Sequence, residues 1–532
     1  MIQGATIYQR RIVIGAVLCA AAFALVGVRL VDVTLFRPHA TGVDPIDRPA
    51  TARADIVDRN GELLARDLPV VDLYARPHSL DDKAGAAHDL ARITGADETR
   101  LLDGFNNTKH PYVLVARRLT PDVQDNVMHL GLPGLEFEPS AKRFYPDGRA
   151  TAQLLGVTDP DGKGVSGLEQ GLEPRLHDAK ATAPVQLSVD MRVQYILASE
   201  VETSRQMFHA QKAGGIVMDV RTGEIIAMVS LPDFDPNFRK FTSDDSDHNI
   251  MAADRYELGS VFKVLSFALA MEDHTTRPDE VFAIGQGYRI GKFTIHEAEH
   301  MPATLTAREV LAHSSNIGTA QIALRSGPVR QAAFLTSLGL LNTLHCELPE
   351  FARPLYPSHW GTIETATIGF GHGIAVEPLA YVSAAASVVN GGRRIIPTFL
   401  KNDADRRGAQ VIRPETSARM RELLRYVVTN GTGRKADIPG YDVGGKTGSA
   451  EKPGHHGYQS HVLVTSFFAT FPIEDPRYVV FVLLDEPHGT KETGGIALAG
   501  STAAPLAGRV ISRIAPLLGV PQRPVTVARE NT

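Results

Sequence analysis

"YELGSVFKVLSFALAMED", residues Tyr256 to Asp273, reads as a helix that carries chemistry on its first turn. Between Val264 and Met271 only Ser266 is polar, so the helix is buried on nearly every side. Ser260 and Lys263 stand three positions apart on one face, close enough for the amine to reach the hydroxyl. Gly259 lets the chain turn into the helix, whose N-terminal N–H groups and positive dipole end favour a developing oxyanion. A serine hydroxyl attacks poorly without an adjacent base, and a lysine kept neutral by desolvation can be that base. The pattern alone is cheap. Ser449 to Lys452 fits it too, although Pro453-Gly454 denies that copy a helix, and Ser260 by itself reads equally as a helix cap.

Two other segments narrow the reading. "HSSNIGTA" holds the chain's only Ser-x-Asn, Ser314-Ser315-Asn316, on a loop between helical patterns; its bland alternative is a cap or turn. "GGKTGSAE", Gly444 to Glu451, holds its only Lys-Thr-Gly. There Lys446, Thr447 and Ser449 supply a cation and hydroxyls beside a strand, and Gly448 clears room for a substrate backbone. A surface lysine before a glycine turn is the alternative. Each segment is ordinary by itself, but their order and their contexts (helix start, loop, strand) coincide with the signature of penicillin-recognising serine enzymes.

Outward from these segments the texture is mixed. "GGIVMDVRTGEIIAMVSLP" reads as two strands around a tight turn at Arg221-Thr222-Gly223. "YDVGGKTGSAE", "HVLVTSFFATFP" and "RYVVFVLLDEP" read as three more, and "TAAPLAGRVISRIAPLL" as a last helix. Strands at both ends with helical sequence between predict an α+β fold, an antiparallel sheet flanked by helices. Before it, "RADIVDRNGELLA" predicts a hairpin turning at Asn60-Gly61, within a stretch that carries no catalytic constellation. The expected organisation is a tail at 1–11, an anchor at 12–36, a non-catalytic pedestal at 37–182, a catalytic domain at 183–525 and a tail at 526–532.

The anchor rests on "IVIGAVLCAAAFALVGV", seventeen residues without a charge, preceded by Arg10-Arg11. That is roughly 25 Å of helix, and Leu30, Val31, Val33, Leu35 and Phe36 can lengthen it. A cleaved signal peptide fits less well, because the small residues Ala20 to Ala24 lie inside the apolar core. Arginines flank the run on both sides, so charge alone does not orient it. A net charge of −5 gives no electrostatic case for nucleic acid. Cys19 and Cys346, far apart, give no disulfide framework.

With these motifs the chain resembles the class B penicillin-binding proteins, most closely their cell-division peptidoglycan D,D-transpeptidases. "DRNGELLA", "YPDGRATAQLLGVTDPDGKGVSGLE", "IVMDVRTGEIIAMVSLPDFDPN", "GFGHGIAVEPLAYVSAAASVVNGG" and "TNGTGRKA" are similar to family segments, so the likeness spans nearly the whole chain. It implies that Ser260 is acylated, Lys263 is its general base, Ser314 relays protons, and Asn316 holds the substrate amide or Lys263. It further implies that Lys446, Thr447, Gly448 and Ser449 bind the donor peptide, with the N–H groups of Ser260 and Ser449 as oxyanion hole. No cofactor or metal is implied. The implied partners are peptidoglycan stem peptides, β-lactams as covalent inhibitors, a membrane glycosyltransferase of the FtsW type and other division proteins. The implied location is the bacterial inner membrane, single-pass, catalytic domain periplasmic. The chain departs from the family at Leu258 (usually Pro), Ala54 (usually Gly), Ser449 (usually Thr) and Glu377 (usually Thr or Ser).

Against this stands "FTIHEAEHMP", whose His296-Glu297-x-x-His300 matches a zinc-peptidase signature. Both histidines bind one metal only on a helix. Phe293 and Ile295 alternate with polar residues like a strand, and Pro302 truncates any helix, so solvated loop residues are expected. "PGHHGYQSH", with His455, His456 and His461, is expected to be a polar loop near the site rim. An elongation-type transpeptidase, an anchored β-lactamase or β-lactam sensor, and a catalytically silent scaffold are the remaining alternatives.

Overall fold

The computed structural model describes residues 53–107, 109–177, 183–238, 248–285, 287–402, 404–405, 407–454 and 457–523, with residues 20, 21 and 24. Apart from those last three, the expected anchor at 12–36 lies outside the described residues, as do His455 and His456. Among the described residues no helix is long and apolar enough to cross a membrane.

The described residues form two compact units, one holding Pro69–Ala141, the other Arg53–Leu68 and the described residues from Lys142 onward. In the smaller, helices Lys83–Thr94, Glu98–Asn106 and Pro121–Met128 bury Leu90, Leu101, Phe105 and Val127 with Leu73 and Val115 of its strands. Asp82 and Asp97 cap the first two helices, Asp82 accepting from Ala84 and Gly85 N–H and Asp97 from Arg100 N–H.

In the larger unit, Ile56 pairs antiparallel with Ala65, and Gly61 between them takes φ 92°, the conformation an Asn-Gly turn needs. The segment is locked by buried ions. Arg53 binds Glu169 and Glu173, while Arg143 binds Glu169 and Asp67.

The core of this unit is a five-stranded antiparallel sheet. Its strands are β1 (Lys212–Asp219), β2 (Ile225–Leu231), β3 (Gly444–Gly454), β4 (Gly457–Phe471) and β5 (Tyr478–Asp485), in the order β3-β4-β5-β1-β2. Chain alternation divides its side chains between two apolar layers. Ile216, Met218, Phe468, Phe481 and Leu483 face one cluster; Val217, Phe467, Ala469, Val480 and Val482 face the other.

Helices cover both faces. On the second layer lie α1 (Met191–Met207), which contributes Val193, Leu197 and Val201, and a C-terminal helix contributing Leu506, Val510 and Ile511. Within the first layer sits α2 (Lys263–Glu272), buried from Lys263 through Met271, with α3 (Ala307–His313), α4 (Asn316–Ser337), α5 (Pro378–Val389) and α6 (Pro414–Asn430) around it. The C-terminal helix is α7 (Ala503–Ile514). Such burial explains the near-unbroken apolar run of α2: no face meets water.

Candidate active site

One tight 3-10 turn, Gly259–Phe262, carries Ser260 into α2. Lys263 follows the turn directly and begins α2, three positions after Ser260. Gly259 has φ 58°, and a Cβ there would stand 2.7 Å from the Ser449 carbonyl oxygen. A Cβ on Gly448 would stand 2.6 Å from the Leu258 carbonyl oxygen and 2.9 Å from Val261 Cγ1. Turn and Lys-Thr-Gly strand therefore meet backbone to backbone, and glycine is the only residue either place accepts. From behind, the Tyr381 hydroxyl of α5 donates to the Val261 carbonyl at 2.8 Å.

The Ser-x-Asn segment closes the third side. Ser314 ends α3 in the left-handed region at φ 65°, and Ser315 caps α4 by accepting from Gly318 N–H. This reversal points Ser314 and Asn316 at the lysine. Lys263 Nζ donates to the Ser314 carbonyl at 2.5 Å and Asn316 Oδ1 at 2.8 Å, and lies 3.1 Å from Ser314 Oγ. Lys446 Nζ lies 3.0 Å from the same Oγ and donates to the Thr447 carbonyl at 2.9 Å. The Ser314 hydroxyl thus bridges two amines. Both lysines are fully buried. Burial pulls Lys263 down to about 7 against the opposing Glu297 carboxylate. Burial, then the neighbouring Lys263, holds Lys446 well below the usual lysine range.

Strand β3 is the edge of its sheet, hydrogen-bonded to β4 alone, with Lys446 opposite Phe468 and Ser449 opposite Thr465. Thr447 Oγ1 shares a 2.6 Å hydrogen bond with Thr432 Oγ1, and Ser449 Oγ accepts from Ala499 N–H at 3.1 Å. Ser260, Lys263, Ser314, Asn316, Lys446, Thr447, Gly448 and Ser449 are brought into one region of the larger unit.

Several neighbours escaped sequence reasoning. His372, between Phe370 and Tyr458 with centroids 5.3 and 5.4 Å away, is lowered to about 4 by burial and then by Lys263. Glu257 accepts from Tyr458 Oη at 2.8 Å, and burial pushes its carboxyl up. Thr432 joins the site because Gly431, where a Cβ would lie 2.2 Å from the Ala312 carbonyl oxygen, runs against the end of α3. None has a spacing signal; only tertiary packing gathers them.

The histidine motif is not helical. Phe293–Ile295 is a strand paired with Tyr288–Ile290, followed by an irregular segment in which His296 and His300 are exposed. Glu297 alone turns inward, accepting from Ser315 Oγ, Asn316 N–H at 2.8 Å and Ile317 N–H at 3.1 Å. The expected loop at 453–461 differs: β3 and β4 continue outward there, pairing Pro453 with Tyr458 and Gly454 with Gly457. A register shift between Glu451 and Pro453 accommodates the proline.

The penicillin binding protein transpeptidase domain model matches residues 213–510, and the penicillin-binding protein dimerisation domain model matches 49–194. A probable peptidoglycan D,D-transpeptidase FtsI from Caulobacter vibrioides is 40% identical over 494 residues, 90% of this chain and 84% of that one. A probable peptidoglycan D,D-transpeptidase PenA from Neisseria meningitidis is 30% identical over 517 residues, 91% and 87% of the two chains. The crystal structure of penicillin binding protein 3 from Mycobacterium tuberculosis with aztreonam superposes with a TM-score of 0.70 at 24% identity, covering 89% of this chain and 98% of that one.

Proposed function

The chain belongs to the penicillin-binding protein transpeptidase family, and from that membership we propose that it is a serine D,D-transpeptidase that cross-links peptidoglycan stem peptides at the division septum. The observation that carries the reading is the Lys263 amine, buried, lowered to about 7 and gripped by Ser314 and Asn316 above the turn that bears Ser260.

The Ser314 carbonyl and Asn316 Oδ1 accept only, so they occupy two N–H bonds of Lys263 and leave a neutral amine's lone pair for the Ser260 proton. Ser260 Oγ attacks the penultimate D-Ala carbonyl while Lys263 takes the proton. The N–H groups of Ser260 and Ser449 receive the oxyanion. When the C–N bond breaks, a proton passes through Ser314, which touches both amines, to the departing D-Ala nitrogen. The acyl-Ser260 ester then yields to the amine of a neighbouring stem peptide, which restores the hydroxyl. The donor lies along the open edge of β3 as an added strand, with Lys446, Thr447, Gly448 and Ser449 at its carboxylate end. A β-lactam enters the same sequence, but its opened ring stays tethered and blocks the acceptor.

Residues 12–36 act as a single-pass anchor with the N-terminus cytoplasmic and the catalytic unit periplasmic, because stem peptides lie on that side. Residues 37–182 act as pedestal and 183–525 as catalytic domain; a glycosyltransferase of the FtsW type and other division proteins are the partners. The apolar run without charge and the family's dimerisation segment support this. Incubation with a stem peptide ending in D-Ala-D-Ala and an acceptor amine should release D-Ala and form cross-linked dimers. Release of free acid alone, or rapid hydrolysis of a penicilloyl ester, would favour the hydrolase or sensor reading.

A further inference from the structure

Among the residues that the acyl-transfer reading leaves unused, Glu297 has the most specific surroundings. It is the acidic residue of the histidine motif, but its carboxylate points away from any histidine pair and into the turn between α3 and α4. Three donors converge on it: Ser315 Oγ, Asn316 N–H at 2.8 Å and Ile317 N–H at 3.1 Å. Two of these are the first N–H groups of α4, which have no partner within the helix. The third belongs to the residue between Ser314 and Asn316. Glu297 is therefore bonded to the middle and the far end of the step that aims Ser314 and Asn316 at Lys263.

We propose that Glu297 is a positioning residue of the acyl-transfer site, which locks the Ser-x-Asn turn onto Lys263 and sets the proton affinity of that amine. The inference rests on the transpeptidase reading and deepens it. Lys263 is faced by four features: its own turn with Ser260, Lys446 from β3, His372 from the segment after Phe370, and Ser314 with Asn316 from the α3–α4 turn. Lys446 and His372, where protonated, repel a proton on Lys263, as burial does. Glu297 is the charge that opposes them, and it holds the amine near neutrality rather than further down. A base half-protonated near the working pH combines availability with proton-transfer driving force, which is where general-base catalysis is most effective.

The geometry also explains the rest of the motif. A glutamate that must reach the α4 N-terminus sits at the end of the short Phe293–Ile295 strand, and the flanking His296 and His300 face solvent.

The test is the pH dependence of acylation by a fluorescent penicillin, read on the full-length chain in detergent for the wild type, Glu297→Gln and Glu297→Asp. Glutamine keeps an acceptor but removes the charge, so the acid limb should move to lower pH by roughly one unit. Loosening of the Asn316 turn should lower its plateau rate roughly ten- to a hundredfold. Aspartate keeps the charge on a shorter arm, so its acid limb should stay at the wild-type position with a plateau between the other two. A Glu297→Gln profile equal to the wild type, or scaled down with its acid limb unmoved, would overturn the inference. If the wild type itself takes no penicillin, the transpeptidase reading fails, and this inference with it; a normal wild type beside an unmoved variant limb sinks the inference alone.

Discussion

Lys263 Nζ donates to Asn316 Oδ1 across 2.8 Å, joining residues 53 positions apart in the chain. That bond ties α2 to the Ser-x-Asn turn, and with the Ser314 carbonyl it occupies two N–H bonds of the amine. Much of what can be tested follows from how it is held.

The protonation state of Lys263 should govern the rate. Its amine is lowered to about 7 by burial, against the opposing Glu297. Only the neutral form accepts the Ser260 proton, so acylation should rise with pH through about 7 and then level off. Lys263→Arg, which stays protonated, should lose on the order of a hundredfold or more at every pH. Stopped-flow acylation with a fluorescent penicillin measures both; a pH-independent wild-type rate would argue against a lysine base.

Gly448 should tolerate no side chain. A Cβ there would lie 2.6 Å from both the Leu258 carbonyl oxygen and Ser466 Oγ. Gly448→Ala must push the strand from the turn that bears Ser260, at a cost of about 1–3 kcal/mol in stability. The same shift should slow acylation by roughly a hundredfold. Thermal melts and acylation rates check the two effects separately.

These two sites show what was legible in the sequence. Ser260, Lys263, Asn316 and Lys446 announce themselves through short fixed spacings, because a turn, a cap and a strand each impose local geometry. The strands of the sheet were legible for the same reason: β1 and β2 flank Gly223 at φ 75°, and β4 and β5 are long apolar runs. Glu297, Thr432 and His372 were not, since each reaches the site through long-range packing. Glu297 was visible only in a motif whose usual meaning requires a helix. The strand continuation through Pro453 and Tyr458 was hidden by glycine and proline, which sequence rules read as loop and cross-strand pairing overrides.

Chelation should leave the reaction untouched. His296 and His300 follow a strand and do not share a helix face, so His296→Ala with His300→Ala should acylate within about twofold of the wild type, with or without a chelator. A chelator-dependent loss of acylation would restore the metal reading of that segment.

Glu377 should carry a pH-dependent stability cost. It sits at the start of α5, 2% exposed, with no well-formed hydrogen bond to either carboxylate oxygen. Burial pushes its carboxyl up to about 8, against Ala352 N–H and Arg255. The unfolded chain releases this proton near its ordinary value, about 4.3. Folding therefore retains a proton between those two pH values, and stability from this group falls as pH rises through that window. Glu377→Thr removes the buried acid and supplies a capping hydroxyl, so it should raise the melting temperature by about 2 °C or more near pH 8 and by less near pH 5. A gain independent of pH would mean the carboxyl is not buried neutral.

The central claim is that Ser260, activated by Lys263, forms the acyl-enzyme. Reaction of the full-length chain with a labelled penicillin, followed by proteolysis and mass spectrometry of the modified peptide, tests it most directly. The account predicts one stable adduct on Ser260, absent in Ser260→Ala. An adduct on Ser314, Ser449 or any other residue, or labelling that survives Ser260→Ala, would contradict it.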